Sequence, residues 1–378
     1  MIYFDCAATT LEKPASVPAA VSYSMTHFSS TGRGGSRPGM QAAEVMYQCR
    51  EMAAALFHVA DPGRVILTYN ATHGLNLAIH SLIKPGSVVL ISGYEHNAVT
   101  RPLYARPDVQ VKVAAGPLFD PDGVYEAFER QLTEEVDVVI CNHVSNVFGF
   151  IQPIERIAAL CKRRNRPLIV DASQSAGTLP VFLEDWGAAF IAMPGHKGLY
   201  GPQGTGLLLC GAGTEPLPLL YGGTGSNSLN PAMPDFLPDR LEAGTQNVCG
   251  AAGLLAGMQF IRQRGADRIR QHEKRLCRRM MEQLWGIPGL RVFRGDHAQS
   301  GVFSFTSSLV DCETFGEELG RRGVAVRAGL HCAPLAHQTA GTVESGTVRI
   351  SFSAFNTAQQ VDRVSAMIRT VAQRSGEQ

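Results

Sequence analysis

The sequence predicts an α/β protein with a large, mainly parallel sheet flanked by helices, followed by a smaller α+β domain. Short apolar, β-branched runs alternate with longer amphipathic stretches through the first two-thirds of the 378 residues. These runs lack polar alternation, which is typical of strands buried on both faces. The Gly-, Pro- and Asn-rich segment 211–247 then separates them from a second set of helices and strands. We expect the large domain to span 15–255 and the small domain to combine 1–14 with 256–378.

The strands of the large sheet are predicted in chain order. Their apolar runs lie at 65–68, 87–92, 136–141, 167–171, 188–193 and 205–210, with a helix at 72–83 after the first run. Polar, Gly-rich or Asn-rich turns follow most of these runs. Because open α/β sheets bind ligands beyond the carboxyl ends of their strands, these turns are the expected location of a functional site.

The small domain is predicted from helices at 251–264 and 267–284 and strands at 301–305 and 347–353. Two basic clusters, 162–164 and 275–279, lack interleaved aromatic residues and are interpreted as solvated helix faces. A net charge of +1 and a pI near 7.6 also disfavour binding to nucleic acid or to an acidic membrane.

The sequence lacks several targeting signals and enzyme motifs, and their absence narrows the expected cellular compartment and enzyme class. Residues 1–5 show no basic region followed by an apolar stretch, and no apolar run approaches the ~18 residues of a membrane span. Nine cysteines without a C-x-x-C pair disfavour a disulfide framework or a zinc module. We therefore expect a cytoplasmic protein with largely free thiols. The usual signatures of P-loop proteins, serine hydrolases and zinc proteases are missing.

Two strand ends carry chemically useful side chains. Asp171 follows the apolar run 168–170, and Lys197 follows the run 190–193 in a Gly-flanked turn. Alone, the aspartate is best read as a helix cap and the lysine as a solvated loop residue. Together they meet the needs of pyridoxal 5'-phosphate (PLP), which forms a Schiff base with a lysine amine and requires a carboxylate at its pyridine nitrogen.

Other strand ends supply what a PLP site further requires. The turn that contains Ala71 and Thr72 joins a strand to a helix, where backbone N–H groups and a hydroxyl can bind a phosphate dianion. Asn146 and His96 follow two further strand ends, and an imidazole such as that of His96 can stack on a pyridine ring. Such groups at successive strand ends are difficult to attribute to chance.

With these residues assembled, nearly the whole chain resembles the cysteine desulfurases, which belong to the class V aminotransferase group of fold-type I PLP enzymes. Among them it is most similar to the branch with a short catalytic-cysteine loop. The matching segments are YFDCAATT at 3–10, NATHGLN at 70–76, EH at 95–96, HVSN at 143–146, VDASQ at 170–174, GHK at 195–197, LYGP at 199–202, RLEAGTQN at 240–247, VRAGLHC at 326–332 and RISFSAFNT at 349–357. Their common order and spacing make the resemblance specific.

The resemblance implies a role for each matching cofactor-binding position. Lys197 matches the Schiff-base lysine and Asp171 the partner of the pyridinium nitrogen. Gln174 matches the group that hydrogen-bonds the phenolic oxygen, and His96 the catalytic histidine that stacks on the ring. The phosphate ligands are then Ala71, Thr72 and His196. Thr245 matches a residue that reaches the phosphate of the neighbouring subunit, which implies a homodimer.

The substrate side follows in the same way. Asn146 and Arg349 match groups that orient the amino acid, with Arg327 as a further contact, and a guanidinium suits a carboxylate because it forms bidentate hydrogen bonds. Cys332 matches the nucleophile that receives the substrate sulfur. From the residues alone, metal ligation by His331, Cys332 and His337 is the less favoured alternative.

The activity implied is the PLP-dependent conversion of L-cysteine to L-alanine, with sulfur left as a persulfide on the enzyme and then passed to an acceptor, for which a sulfur-acceptor protein is a candidate. Alternatives are a selenocysteine lyase or cysteine sulfinate desulfinase, an aminotransferase or racemase on the same scaffold, and a catalytically silent PLP-binding regulator. A nucleotide-binding Rossmann protein would also fit the strand–helix alternation.

Some positions depart from the pattern of this branch. Pro194 stands where a phosphate-binding serine is usual, and Gly198 is an additional residue after the lysine. Ser36 and Leu330 stand where related sequences often have histidines, and Cys6 adds a thiol without an assigned purpose. These departures leave the sulfur or selenium preference open.

Overall fold

A computed structural model describes residues 1–31, 35–295 and 297–374 of the chain. The strands are β1 (Ile2–Tyr3), β2 (Val65–Thr68), β3 (Val88–Ser92), β4 (Gln110–Ala114), β5 (Val138–Asn142), β6 (Leu168–Asp171), β7 (Phe190–Pro194), β8 (Gly206–Cys210), β9 (Leu290–Val292), β10 (Val302–Ser307), β11 (Val324–Ala325), β12 (Arg327–Gly329) and β13 (Thr347–Ser351). The helices are α1 (Ser16–His27), α2 (Arg37–Phe57), α3 (Ala71–Leu82), α4 (Asn97–Tyr104), α5 (Pro121–Gln131), α6 (Ile154–Arg163), α7 (Leu183–Trp186), α8 (Val248–Arg264), α9 (Ala266–Leu284), α10 (Cys312–Arg321), α11 (Pro334–Ala340) and α12 (Ala358–Arg374).

The large sheet has seven strands in the order β2-β8-β7-β6-β5-β3-β4. Only β8 runs antiparallel to its neighbours, so the prediction of a mainly parallel sheet is confirmed. The parallel register pairs Asn142 with Asp171 and Asp171 with Ala192. The carboxyl ends of β5, β6 and β7 therefore lie side by side.

Both faces of this sheet are buried, as the apolar runs predict. Leu168 and Val170 of β6 enter one core cluster with residues of α2, α6 and α8, while Ile169 between them enters the cluster on the opposite face with α3 and α4. Each side chain is at most 1% exposed. Alternate residues of one strand thus face two helical layers, which explains the missing polar alternation.

A second core belongs to the antiparallel sheet of order β12-β13-β10-β9, covered by α9, α10 and α12. Phe4 belongs to this core, and β1 pairs in parallel with β11. Residues of α8 as far as Ile261 belong instead to the core of the large sheet. The domain boundaries remain a prediction.

Five short strands were not expected from the sequence: β1, β4, β9, β11 and β12. β4 lies at the edge of the large sheet, and its residues alternate between apolar and polar. Along the described parts of the chain, no helix combines the length and the apolar character needed to cross a bilayer.

Candidate active site

A cavity of about 230 Å³ opens where β5, β6 and β7 end. It brings together nearly all of the site residues expected from the sequence: Ala71, Thr72, His96, Asn146, Asp171, Gln174, His196, Lys197, Arg327, Cys332 and Arg349. Thr245 is the exception, because it lines a separate cavity beside Tyr47 and Arg50. Residues far apart in the sequence thus share one site because the strand ends meet there.

Lys197 lies in the tight turn that follows β7. The turn requires glycine at 195, since a Cβ there would lie 2.1 Å from the Thr205 hydroxyl oxygen. Burial lowers the pKa of the Lys197 amine to about 8, and the neighbouring Arg349 acts in the same direction, while the Asp171 carboxylate opposes the shift. A larger fraction of this amine than of a solvated lysine is therefore neutral and nucleophilic near physiological pH.

Asp171 ends β6 and is 4% exposed. Its Oδ1 accepts a hydrogen bond from the Ser173 N–H at 2.9 Å. The carboxylate lines the same cavity as Lys197. The nitrogen of a pyridine ring bound in this cavity would therefore meet a hydrogen-bond acceptor.

His96 is the N-cap of α4, and its Nδ1 accepts the Ala98 N–H at 3.0 Å. This bond assigns the proton of the neutral imidazole to Nε2. Burial lowers the pKa of His96 to about 4, so that the ring is uncharged at neutral pH. A neutral planar ring at this point suits stacking on an aromatic cofactor.

The start of α3 presents free N–H groups of the kind that a phosphate cradle requires. The Asn70 side chain caps the helix by accepting the His73 N–H at 2.9 Å, while the N–H groups of Ala71 and Thr72 occupy the first turn. His196 also lines the cavity, and its buried Nδ1 has no hydrogen-bond partner in the described ranges. Burial lowers the pKa of His196 to about 4, which leaves a neutral ring.

These groups fit PLP: a cradle of N–H groups with an unpartnered histidine nitrogen for the phosphate, a carboxylate for the pyridine nitrogen, and a lysine. Pro194, the last residue of β7, lines the cavity but offers neither a hydroxyl nor an N–H. A phosphate bound here would therefore depend on the donors of α3 and on His196.

The Arg349 guanidinium is held from two sides. Its Nη1 donates to the Asn146 carbonyl oxygen at 2.9 Å, and its Nη2 forms an ion pair with the Asp5 carboxylate at 2.7 Å. The Asn146 Nδ2 donates to the His331 carbonyl oxygen at 2.8 Å. Among the described residues, Arg349 Nε and Asn146 Oδ1 have no partner, although both are buried. An unpaired donor and acceptor at one cavity wall suit an α-amino acid.

The two remaining contacts are less enclosed. Gln174 is half-buried, and its Nε2 donates to the Ala7 carbonyl oxygen at 2.9 Å. Arg327, in β12, is exposed at the rim of the cavity.

Cys332 is an exposed residue in a strained loop. His331 and Cys332 have φ values of 51° and 56°, in the left-handed region that non-glycine residues rarely adopt, and Gly329 has φ 102°. The Cys332 carbonyl oxygen accepts the Asn97 N–H at 2.8 Å. A strained backbone held at its carbonyl is typical of functional loops.

His331 and His337, two members of the alternative metal centre, each use one ring nitrogen in a hydrogen bond. His331 Nε2 is hydrogen-bonded to the Thr347 hydroxyl at 2.9 Å, and His337 Nδ1 to the Thr342 hydroxyl at 2.7 Å. No group of three or more potential ligands was found anywhere in the described segments. All nine cysteines are free thiols.

Two of the departures have structural reasons. A Cβ at Gly198 would lie 2.3 Å from the Ala176 carbonyl oxygen, so this position requires glycine. Ser36 caps α2, accepting the Gly39 N–H at 3.4 Å. Leu330, which precedes His331 and Cys332 in the chain, is 38% exposed.

Two residues without an assigned role support the site. Asp5 orients Arg349, as described above. Glu95 Oε1 accepts the Asn142 N–H at 2.7 Å and the Ser92 hydroxyl at 2.6 Å, and burial raises the pKa of Glu95 to about 8. Both lie inside motifs that were recognised in the sequence, but only the folded structure reveals their partners.

Comparison with known proteins identifies the family of the chain. The family model described as "Aminotransferase class-V" matches residues 2–364. A probable cysteine desulfurase of Methanothermobacter thermautotrophicus is 30% identical over 98% of this chain and 94% of its own length. One of Xylella fastidiosa (strain Temecula1) is 31% identical over 98% and 90%. A probable cysteine desulfurase of Mycolicibacterium paratuberculosis is 30% identical over 99% of this chain, which spans only 56% of that relative.

Two solved structures with a similar fold are also cysteine desulfurases. The apo cysteine desulfurase of Thermococcus onnurineus NA1 has a TM-score of 0.90 at 27% identity, covering 99% of this chain and 95% of that one. The cysteine desulfurase CsdA of Escherichia coli has a TM-score of 0.85 at 25% identity, covering 99% and 94%.

Proposed function

Since the chain belongs to the cysteine desulfurase family within the class-V aminotransferases, we propose that it converts L-cysteine to L-alanine and transfers the sulfur to Cys332 as a persulfide. The observation that carries the proposal is a single cavity that joins Lys197, Asp171, Arg349 and Cys332. An aminotransferase or racemase would need the lysine and the aspartate, but it has no use for an exposed thiol at the same cavity.

The cofactor would be held by groups already positioned around the cavity. Ala71, Thr72 and His196 bind the phosphate, and Asp171 keeps the pyridine nitrogen protonated. When bound, PLP supplies an electron sink for the charge that remains after proton removal. Lys197, displaced by the substrate amine, takes the Cα proton, which its lowered pKa favours.

Substrate orientation falls to Arg349 and Asn146. The unpartnered Arg349 Nε and the free Asn146 Oδ1 receive the α-carboxylate and the amino acid nitrogen, respectively. The Asp5 carboxylate and the Asn146 carbonyl oxygen keep the guanidinium fixed while substrate enters. This preorganisation directs Cβ and its sulfur toward the Cys332 loop.

The sulfur step forms one bond and breaks one. The Cys332 thiolate attacks the substrate sulfur, an S–S bond forms, and the Cβ–S bond breaks. Its electron pair remains on Cβ, which is reduced and takes up a proton to become the methyl group of alanine, while the sulfur is oxidised to the persulfide level. Cysteine and enzyme thiol thus give alanine and enzyme persulfide without an external oxidant.

Replacing the nucleophile tests this proposal directly. Cys332→Ser should lower alanine and sulfide release from L-cysteine by ~100-fold or more, because serine cannot accept sulfur. The visible absorbance of bound PLP should be unchanged. Cys249→Ser, the same change at a partly buried cysteine outside the cavity lining, is the matched control and should keep full activity. Full desulfurase activity in Cys332→Ser would refute the assignment.

Substrate preference is tested with the same variant. If the enzyme is instead a selenocysteine lyase or a cysteine sulfinate desulfinase, Cys332→Ser should retain turnover of those substrates, since selenium and sulfinate leave without a nucleophilic thiol. Wild-type protein that binds PLP but turns over none of the three substrates would indicate a silent regulator. We also propose that the persulfide sulfur is passed to an acceptor protein and that the enzyme is located in the cytoplasm.

A further inference from the structure

A second cavity of about 40 Å³ lies next to the first, and Lys197 lines both. Its other walls carry the side chains of Cys6, Tyr200 and Glu273, among further polar groups. A volume of this size holds roughly two or three water molecules. We refer to it as the lysine chamber. Its polar lining makes hydration favourable, because water there finds several hydrogen-bond partners.

Glu273, in α9, is an uncommon wall residue for such a space. It is only 8% exposed, and no hydrogen bond or ion pair to its carboxyl is found among the residues that the structure describes. Gly301 packs against it so closely that a Cβ there would lie 2.7 Å from the Glu273 Cβ. The packing therefore accommodates the Glu273 carboxyl group, which is left available to water in the lysine chamber.

The titratable groups around Glu273 carry no compensating charge. Burial raises the pKa of the Cys6 thiol to about 12 and raises the pKa values of Tyr200 and Cys277 well above neutrality, so all three are uncharged. Burial likewise raises the pKa of Glu273 to about 8. The carboxyl and the Lys197 amine thus titrate in the same pH range, which favours proton exchange in both directions.

We propose that Glu273 exchanges protons with the Lys197 amine through water in the lysine chamber. This inference rests on the proposed function and identifies Glu273 as the residue with which Lys197 exchanges protons. Glu273 acts through Lys197 and does not touch the substrate.

The proton balance has two halves. Before Cα proton removal, the ionised fraction of Glu273 takes a proton from the Lys197 ammonium group through the chamber water and leaves a neutral amine. After removal, the Lys197 ammonium holds the proton from Cα, and the protonated carboxyl exchanges with it until a proton is returned to Cα. The second proton that alanine needs, at Cβ, is balanced by the proton that the Cys332 thiol gives up when it becomes the attacking thiolate. No proton is gained or lost over the cycle.

Label retention tests the exchange. The holoenzyme is supplied with L-cysteine deuterated at Cα, and the deuterium in the alanine product is measured by mass spectrometry. In wild type, exchange through the chamber should wash out most of the label. In Glu273→Gln, which keeps the shape but cannot exchange a proton, retention should increase severalfold and kcat should fall by ~10-fold, with KM little changed.

Two further variants serve as controls. Glu273→Asp retains an exchangeable carboxyl and should restore label loss toward the wild-type value. Glu282→Gln makes the same change at an exposed position of the same helix and should behave like wild type. Equal label retention in wild type and Glu273→Gln, with alanine formed by both, would overturn the inference.

A measurement independent of activity separates the two proposals. Because Glu273 has a folded-state pKa of about 8 against 4.5 in the unfolded chain, the folded form binds more protons between these values. The urea midpoint of wild type should therefore fall relative to that of Glu273→Gln as the pH rises through this window. Wild type that forms no alanine would refute the proposed function, whereas a pH-independent difference in midpoint would refute the raised pKa of Glu273.

Discussion

At the scale of single residues, the site depends on Lys197, whose charge is governed by burial and by a neighbouring carboxylate. Lys197 loses part of its positive character because the cavity wall removes water from the amine, and Asp171 limits this loss. A fully charged lysine would be a poor nucleophile, and a lysine without a neighbouring carboxylate would be even less protonated. The pair sets the amine near neutrality.

This balance predicts the pH dependence of cofactor uptake. The rate at which apoprotein binds PLP should rise with pH and level off above about 8, because above its lowered pKa the Lys197 amine is neutral. In Asp171→Asn the plateau should begin at lower pH, since the carboxylate no longer raises the lysine pKa. Stopped-flow absorbance measures both curves, and a wild-type rate that still rises toward 10.5 would contradict the shift.

Single residues also mark what the sequence allows one to predict. Asp171 and Lys197 were predictable because each follows an apolar strand, and parallel strands place such ends together. Asp5 and Glu273 were not, because their importance depends on Arg349 and on the lysine chamber, which are formed by distant parts of the chain. A motif indicates the first kind of residue, and only packing reveals the second.

At the scale of elements, α3 connects local sequence with cofactor binding. Its N-terminus carries the positive end of the helix dipole, and Asn70 fixes where the helix begins. The position of the first N–H groups follows from that cap, and under the proposed function these groups bind the phosphate.

Removing the cap should therefore affect both stability and cofactor affinity. Asn70→Ala is expected to cost about 1 kcal/mol of unfolding free energy and to weaken PLP binding, since the helix start is no longer fixed. Asp311→Ala removes an equivalent cap, on the Thr314 N–H at the start of α10, and should reduce stability alone. Urea unfolding and PLP titration measure the two effects; equal loss of PLP affinity in both variants would contradict this role of Asn70.

Elements differ in how far the sequence foretells them. The buried strands of the large sheet were predicted within a few residues, because continuous apolar runs bounded by turns have few other interpretations. The direction of β8 was not predictable, since its run at 206–210 is equally apolar whether the strand is parallel or antiparallel. β4 was not predicted because Lys112 interrupts its apolar pattern at the sheet edge.

At the scale of the whole molecule, Thr245 stands apart from the cavity that its motif partners line. It borders a cavity with Tyr47 and Gly223, in a region where Tyr47 is 52% and Tyr221 76% exposed. Large exposed aromatic side chains are typical of interaction surfaces. The homodimer implied by the sequence thus remains a prediction, and it would explain why Thr245 lies outside its own subunit's site.

Mixed dimers test that prediction. If Thr245 completes the partner's site, refolding Lys197→Ala and Thr245→Ala subunits together should yield dimers with one intact site and restore part of the activity that each variant lacks. The measurement is alanine formation at low PLP concentration, with light scattering to confirm the dimer. If Thr245 acts only within its own subunit, mixing should restore nothing.

The fixed backbone of Cys332 has a consequence for sulfur delivery. Its carbonyl oxygen is bound by the Asn97 N–H, while the residue itself is exposed. Under the proposed function, we expect a loop anchored in this way to present the sulfur by rotation of the Cys332 side chain, with its backbone kept at the cavity. Under the proposed function, the recipient has to travel to the rim of the cavity, and its fit there determines which molecule collects the sulfur. The surface that selects the sulfur recipient is thereby separate from the groups that release sulfur from the substrate. Recipient specificity can therefore change while the chemical reaction stays the same.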